Sequence, residues 1–491
     1  MNDHQIRDLT MGREAKQKDG LIHLAKSTSD VDFALLDEFL DEVSSEGIDL
    51  HGLMLFRDGA VAVEAWWWPY AANRLHFMHS ATKSFTATAV GLAIAEGRFG
   101  LHDPIVRYFP NSLPEIRSGF FEEMTVEHLL TQTSGVPFVS GAKWRNIGTS
   151  WIDEFFKLPV ESKPGSKFVY SSATSFMLSA IISATTGESL ASFLDRRFFV
   201  PIGMDNYRWD VGPEGINPGG NGLICRTSDF LKLGVIHLQE GMWNGAQLLD
   251  AEWVKLATTP KFGNLYGYHW WIGPDGRAFY AFGAFGQFSV VFPDQGAVLT
   301  ITAADDMFAT RLLPLIWKHL PAILRSRVIT PIYSDVGGHQ WTDKRLLPLV
   351  QATDSPTSKV VSGKTFAIAP NDQGIESLRF HFDTAECRMV YRVNNVDHEI
   401  RIGLTDWIES STTIPGGALH HGYEPLEGMR VLASGGWRDT STFVTTWQFV
   451  ESPFCDTVVI HYDGEHLTLD RSVNVNSTAT TLPTIRGSAQ L

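Results

Sequence analysis

Apolar side chains at Val31, Leu35, Leu36, Phe39, Leu40 and Val43 recur at helical spacing and stop before Gly47. This predicts an amphipathic helix after a polar lead of residues 1–29. The period then changes. Gly52-Leu53-Met54-Leu55-Phe56 and Ala60-Val61-Ala62-Val63 flank the turn Arg57-Asp58-Gly59, the pattern of a β-hairpin. Leu75 to His79 is short and extended in character. Phe85 to Glu96 follows as a run of helix formers without proline, stopped by Gly97. Between residues 97 and 135 the pattern is helix, loop and helix, one segment opening at Leu101-His102-Asp103-Pro104 and the next at Thr125 to Leu130. His128 stands where a capping box carries Glu or Gln, so the sequence predicts no full box.

Pro164-Gly165 predicts a turn, Phe168 to Tyr170 a short extended piece, and Phe176 to Ala184 an apolar helix. In extended backbone Tyr170 and Ser172 share one face. A glycine-rich turn and a helix occupy Gly219 to His237, and another helix starts at Trp253 to Ala257. Tyr268 to Ile272, Ala278 to Phe282, Phe288 to Phe292 and Ala297 to Ala303 then read as antiparallel strands. A helix over about 311–324 closes this region of mixed α and β. Ser355-Pro356-Thr357-Ser358 marks a linker, after which strands dominate. They are Ser377 to Phe382, Arg388 to Val393, Glu399 to Leu404, Thr442 to Val450, Thr457 to Tyr462 and His466 to Leu469, the last two joined by Asp463-Gly464. The expected divisions are a polar segment 1–29, a main domain 30–325, a linker 326–360 and a β-barrel or sandwich 361–491.

Candidate chemistry centres on Ser80-Ala81-Thr82-Lys83 at the start of the predicted Phe85 helix. Helix N-termini favour developing negative charge, and residue i+3 lies beside residue i, so Lys83 runs along the Ser80 face. A serine with a lysine one turn later is a nucleophile–base pair. The alternative is a serine that only caps a core helix. A second S-x-x-K, Ser140 to Lys143, lies in a glycine-containing loop with no long apolar helix after it and reads as chance.

Composition narrows the class. With 44% hydrophobic and 19% charged residues, the 491-residue chain is globular with room for two or three domains. A net charge of −15 argues against nonspecific nucleic-acid binding. No apolar run approaches the roughly 18–20 residues of a membrane span. Three dispersed cysteines (Cys225, Cys387, Cys455) and a polar start without an apolar leader lead to the expectation of a cytoplasmic protein. His420-His421 would point to opposite faces of a strand, with no carboxylate or cysteine at ligand spacing, so no metal site and no cofactor are expected. A homo-oligomer stays open.

In chain order, Ser80-x-x-Lys83, Tyr170-Ser171-Ser172 and Ala281-Phe282-Gly283-Ala284-Phe285-Gly286-Gln287 resemble the three motifs of the serine β-lactamase and penicillin-binding-protein superfamily. His128-Leu129-Leu130-Thr131-Gln132-Thr133-Ser134-Gly135, Pro164-Gly165 and Pro201-Ile202-Gly203-Met204 resemble its flanking segments. The resemblance covers about residues 30–325 and is nearest to class C β-lactamase-like esterases and amidases, 6-aminohexanoate-dimer hydrolases among them. It implies an α+β fold, an α/β sandwich with an antiparallel sheet flanked by helices and an inserted all-helical region, beside the small C-terminal all-β domain. It also implies that Ser80 forms an acyl-enzyme with Lys83 and Tyr170 in acid and base roles. The backbone N–H groups of Ser80 and Ala284, after Gly283, would form the oxyanion hole. Ser172 would hydrogen-bond to Lys83 or to substrate, and Gln287 would either line the site or, as a strand-end glutamine, satisfy backbone groups. A neutral Lys83 near pH 7 requires about 4–5 kcal/mol of desolvation or like-charge cost.

Two departures redirect the substrate. The second motif carries Ser172 where the family usually has asparagine, and the third lacks the cation that would meet a substrate carboxylate. Both favour hydrolysis of a small-molecule ester or amide. Acyl transfer or peptide cyclisation, β-lactamase or D-Ala-D-Ala carboxypeptidase activity, and a non-catalytic binding module are the alternatives. Tyr268, His269, Trp270 and Trp271 are candidates for an apolar pocket wall or for core.

Overall fold

The computed structural model describes residues 15–18, 20–24, 31–113, 119–325, 355–423 and 428–490. The chain divides into two compact units, the second comprising Trp68–Tyr70 and the C-terminal part of the chain.

The first unit is built on an eight-stranded sheet. In chain order its parts are β1 (Ala15–Lys18), β2 (Leu21–Leu24), α1 (Phe33–Ser45), β3 (Asp49–Arg57), β4 (Ala60–Trp66), β5 (Leu75–Phe77), α2 (Thr82–Ala95), α3 (Val126–Leu130), α4 (Gly141–Arg145) and α5 (Ser172–Thr186). There follow β6 (Arg208–Trp209), β7 (Leu223–Arg226), α6 (Thr227–Leu238), β8 (Trp271–Ile272), β9 (Phe279–Gly283), β10 (Gln287–Phe292), β11 (Ala297–Ala304) and α7 (Leu312–Ile323). The sheet order is β1-β2-β4-β3-β11-β10-β9-β8, antiparallel except where β2 meets β4.

The central strands are buried on both faces. On β3, Leu53 and Leu55 join one core with Leu36 and Phe39 of α1 and Leu312 and Ile316 of α7. Met54 and Phe56 point the other way, into a core with Phe85 of α2, Phe176 of α5 and Phe230 of α6. The period-two alternation of strand side chains therefore feeds two layers, which is why these strands read as near-continuous apolar runs. Asp32 caps α1 by accepting from the Ala34 and Leu35 N–H groups at 3.1 and 3.2 Å. Among the described residues no single helix is long and apolar enough to cross a membrane.

Several local expectations change. The polar lead contains β1 and β2, a hairpin at the sheet edge. The Gly219–His237 stretch holds a strand, β7, paired with β5 and β6. Tyr268 to Ile272 is strand only at its end, because His269 sits at φ 59°. The capping box at Thr125 is complete. Thr125 Oγ1 accepts from the His128 N–H at 3.4 Å, and His128 Nδ1 accepts from the Thr125 N–H at 3.1 Å. A neutral imidazole nitrogen is an acceptor, so it takes the place of the usual carboxylate.

In the second unit α8 (Pro356–Val361) precedes ten strands: β12 (Thr365–Ile368), β13 (Ile375–Phe382), β14 (Glu386–Val393), β15 (Val396–Gly403), β16 (Ile408–Thr412), β17 (Met429–Trp437), β18 (Thr442–Phe449), β19 (Cys455–Asp463), β20 (His466–Val473) and β21 (Ile485–Ala489). They follow the order β15-β14-β13-β12-β21-β20-β19-β18-β17-β16, and a Gly403–Ser434 bridge between β15 and β17 closes a barrel. Phe366, Leu378, Phe380, Ile400, Trp447, Val458 and Ile460 fill it. Most of the expected linker, residues 326–354, lies outside the described residues.

Replacing Thr125 with Ala should cost about 1 kcal/mol in denaturant unfolding. His128→Glu should retain more of the box than His128→Ala; equal stability of those two variants would refute the imidazole's capping role.

Candidate active site

β5 ends against β7, where the Met78 N–H donates to Leu223 O at 2.9 Å. The chain then turns sharply. His79 adopts φ 46°, and its ring packs edge-on against Phe77 and Phe285, with centroids 4.3 and 5.2 Å apart. This strand-to-helix corner leaves Ser80 half-exposed in a single tight turn that runs into α2.

One helical turn on, Lys83 is 1% exposed. Its Nζ lies 3.2 Å from Ser80 Oγ, donates to Gly220 O at 2.9 Å, and stands 4.5 Å from the centre of the Tyr170 ring. Among the described residues it has no carboxylate partner. Burial without a counter-charge brings its pKa down to about 7. His269, fully buried behind it, is held well below the usual histidine range, first by burial and then by the Lys83 charge.

Tyr170 is half-buried, and its ring faces Lys83 Nζ on the Ser80 side of the corner. Burial pushes its pKa up, against a smaller opposing pull from the Ser80 hydroxyl, so at neutral pH it is a phenol able to give or relay a proton. Its backbone is braced by a residue whose role the sequence did not disclose. Gln132, buried at φ 58°, accepts from the Val169 N–H through its carbonyl and from the Ser171 N–H through Oε1, while its Nε2 donates to Ser175 Oγ. The only sequence signal for it is its place in the His128–Gly135 segment.

Ser172 does not share an extended face with Tyr170. It opens α5, its N–H donating to Val139 O at 3.0 Å. Beside it lies Asn221, from the loop that supplies Gly220 to Lys83. A Cβ on Gly141 would stand 2.0 Å from Asn221 Nδ2 and 3.5 Å from Ser172 Oγ, so both polar groups border that glycine. Nothing in the sequence near Ser172 pointed to Asn221.

Gly283 ends β9 pressed onto the lead-in to Ser80, where a Cβ would lie 2.1 Å from Met78 O. Only glycine permits that approach. With Gly283 against Met78 and Phe285 against His79, Ala284 and Ser80 are brought to the same corner. Neither the Ser80 N–H nor the Ala284 N–H donates to a carbonyl among the described residues. Gln287 is not available to substrate. It is fully buried, its Nε2 donating to Ala284 O and Ala303 O and its Oε1 accepting from the Ala303 N–H.

Of the four aromatic candidates, Tyr268, His269 and Trp270 are buried, and Trp271 alone is half-exposed. Its ring lies 5.4 Å from that of Tyr170, and Phe168 and Phe262 continue the strip outward. His420 and His421 occupy a turn, with His420 Nε2 bonded to Asp456 Oδ1 at 2.8 Å. Among the described residues no three His, Cys, Asp or Glu side chains could hold a metal ion.

Residues 46–312, more than half of the chain, match the family model described as Beta-lactamase. Esterase EstB of Burkholderia gladioli is 31% identical over 172 residues, 31% of this chain and 43% of that protein. A penicillin-binding protein of Bacillus subtilis is 28% identical over 169 residues, 32% of this chain and 36% of that protein. The chain thus spans less than half the length of each. A structure described as a 6-aminohexanoate-dimer hydrolase from Bacillus anthracis superposes with a TM-score of 0.52 at 19% identity, over 66% of this chain and 94% of that one. One described as a beta-lactamase from Bacteroides dorei gives 0.53 at 17% identity, over 60% and 99%. These last two establish the fold.

Because Lys83 has a folded pKa near 7 against roughly 10.4 for an exposed lysine, the unfolded chain binds more protons between those values, and stability rises with pH across that window. Lys83→Met removes the buried amine. It should melt several degrees above the parent at pH 6, with the gap narrowing toward pH 10; a gap independent of pH would contradict the burial account.

Proposed function

The chain belongs to the beta-lactamase family, and from that premise we propose that it is a serine hydrolase cleaving a small-molecule ester or amide through a Ser80 acyl-enzyme. The observation that carries this reading is the Ser80–Lys83–Tyr170 cluster, with a lysine at the brink of neutrality 3.2 Å from the serine hydroxyl.

In this reading neutral Lys83 accepts the Ser80 proton as Oγ attacks the carbonyl. The charge on the tetrahedral oxygen is met by the Ser80 and Ala284 N–H groups, each such donor being worth about 10²–10³ in rate. Tyr170 passes the proton to the leaving group. Water then attacks the acyl-enzyme and regenerates Ser80, the same groups working in reverse. Gly283 and Gln287 shape the corner around Ala284 and do not themselves bind substrate.

The third motif is neutral: Ala281 is fully buried, and Phe282 stacks on Phe288 at 4.9 Å. Together with the half-exposed Trp271, Phe168 and Phe262, this supports an uncharged substrate with an apolar body. Three free cysteines, two of them buried, support a reducing compartment, in keeping with a cytoplasmic enzyme.

A fluorophosphonate probe should label Ser80, as read by peptide mass spectrometry, and Ser80→Ala should abolish both labelling and p-nitrophenyl ester turnover. Ser140→Ala should change neither, because Ser140 only caps α4 through the Lys143 N–H. Labelling elsewhere, or equal loss in both variants, would refute the assignment. In the parent, kcat/KM should rise on an acid limb with a midpoint near pH 7, where Lys83 loses its proton.

A further inference from the structure

His269 combines two features that cost stability. Its backbone is left-handed, with φ 59°, a conformation that side chains other than glycine, asparagine and aspartate seldom adopt. Its N–H donates to Leu130 O at 3.2 Å and its carbonyl accepts from Ser84 Oγ at 2.8 Å, so α3 and α2 hold that backbone between them. The imidazole is 1% exposed, and neither ring nitrogen has a hydrogen-bond partner among the described residues. His237 shows the ordinary arrangement: it is also buried, but its Nδ1 is bonded to Leu233 O at 2.8 Å.

The surroundings of the ring single out one neighbour. Ser84, which holds its carbonyl, follows Lys83 on α2, and the ring lies within the field of the Lys83 ammonium. The other titratable groups nearby are uncharged or engaged elsewhere. Tyr266, its ring centre 6.3 Å away, and Tyr170 and Tyr280 beyond it are phenols whose pKa values burial pushes up. On α3, Glu127 accepts from the Tyr268 hydroxyl and His128 completes the capping box. Burial and the Lys83 charge together keep the imidazole unprotonated through the neutral range. It is then still a strong dipole, with a proton on one nitrogen and a lone pair on the other. Neither nitrogen is tied by a hydrogen bond, so the tautomer that turns its lone pair toward the amine is open to it. In a poorly polarisable interior the attraction between such a dipole and an ammonium is stronger than in water.

We propose that His269 is a positioning residue for the proton on Lys83, its uncharged imidazole steadying, as a dipole, the ammonium formed when Lys83 takes the Ser80 proton. The assignment rests on the serine-hydrolase reading above. In that step the proton leaves Ser80 Oγ for Lys83 Nζ, and a positive charge appears where no carboxylate stands to meet it. A carboxylate in place of the imidazole would hold Lys83 charged and spoil it as a base, whereas an apolar ring would leave the new ammonium without support. A neutral dipole lies between these extremes. That balance accounts for a strained histidine with two untied nitrogens kept beside the base.

The test is the acid limb of the pH profile, read both as kcat/KM for p-nitrophenyl acetate and as the rate at which a fluorophosphonate labels Ser80. His269→Phe keeps a ring and removes its dipole. The midpoint should fall by about one pH unit, tenfold in the proton affinity of Lys83, and the plateau rate should drop by a similar factor. His269→Asp suits the left-handed backbone and sets a carboxylate beside the amine, so the midpoint should rise by about one pH unit or more. His269→Asn also suits that backbone and retains a dipole, and its midpoint should stay within about 0.3 pH units of the parent. Thermal melting identifies the folded variants, and the aspartate and asparagine variants decide the matter if the phenylalanine one does not fold. An unmoved midpoint in folded His269→Phe or His269→Asp, activity lost at every pH with the midpoint unchanged, or an equal shift in His269→Asn overturns the role of His269 while leaving the hydrolase reading intact. A parent that turns over no ester and takes no label at Ser80 overturns both.

Discussion

The first unit is organised around a buried amine with no opposing charge among the described residues. Lys83 reaches Ser80 Oγ and Gly220 O and faces the ring of Tyr170, and none of these neutralises an ammonium group. An amine so placed is poised between its two forms near neutral pH, which is what proton abstraction from a serine requires. That placement is destabilising, and the rest of the fold makes it permanent.

What fixes it is backbone, drawn from separate parts of the chain. The Pro218–Gly222 loop presents Gly220 O to the amine while its other carbonyls are tied to Trp209, Thr86 and Asp210. Gln132 ties the segment around Tyr170 through the Val169 and Ser171 N–H groups and links it to α5 by donating to Ser175 Oγ. Gly283 lets β9 close onto Met78, and Gln287 locks the turn behind it. Hydrogen bonds from a rigid scaffold hold the reacting groups in place at little cost in reorganisation.

Two contrasting borders flank this frame. On one side lie the half-exposed aromatic rings of Trp271, Phe168 and Phe262, and on the other the Asn221 amide with Ser172. The loop that steadies Lys83 through Gly220 O also carries Asn221 to the edge of Gly141, beside Ser172.

The sequence determined what local geometry dictates. Apolar periodicity placed α1, α2, β3, β4, β10 and β11 close to their observed bounds, and the three-residue spacing from Ser80 to Lys83 made their adjacency a property of any helix. It also identified a strand-rich C-terminal region. Tertiary structure decided the rest. Lys83 meets Gly220 across 137 residues, and its lowered pKa follows from burial that no local pattern expresses. Gln287 has the composition of a substrate-binding residue, but the neighbouring backbone takes both ends of its amide. Ser172 starts a helix where alternation predicted an extended face, and Asn221 was invisible beside it. Short-range order is written into the spacing of side chains along the chain. The electrostatics of a site arise from which distant segments exclude water together, and only the packed molecule fixes that.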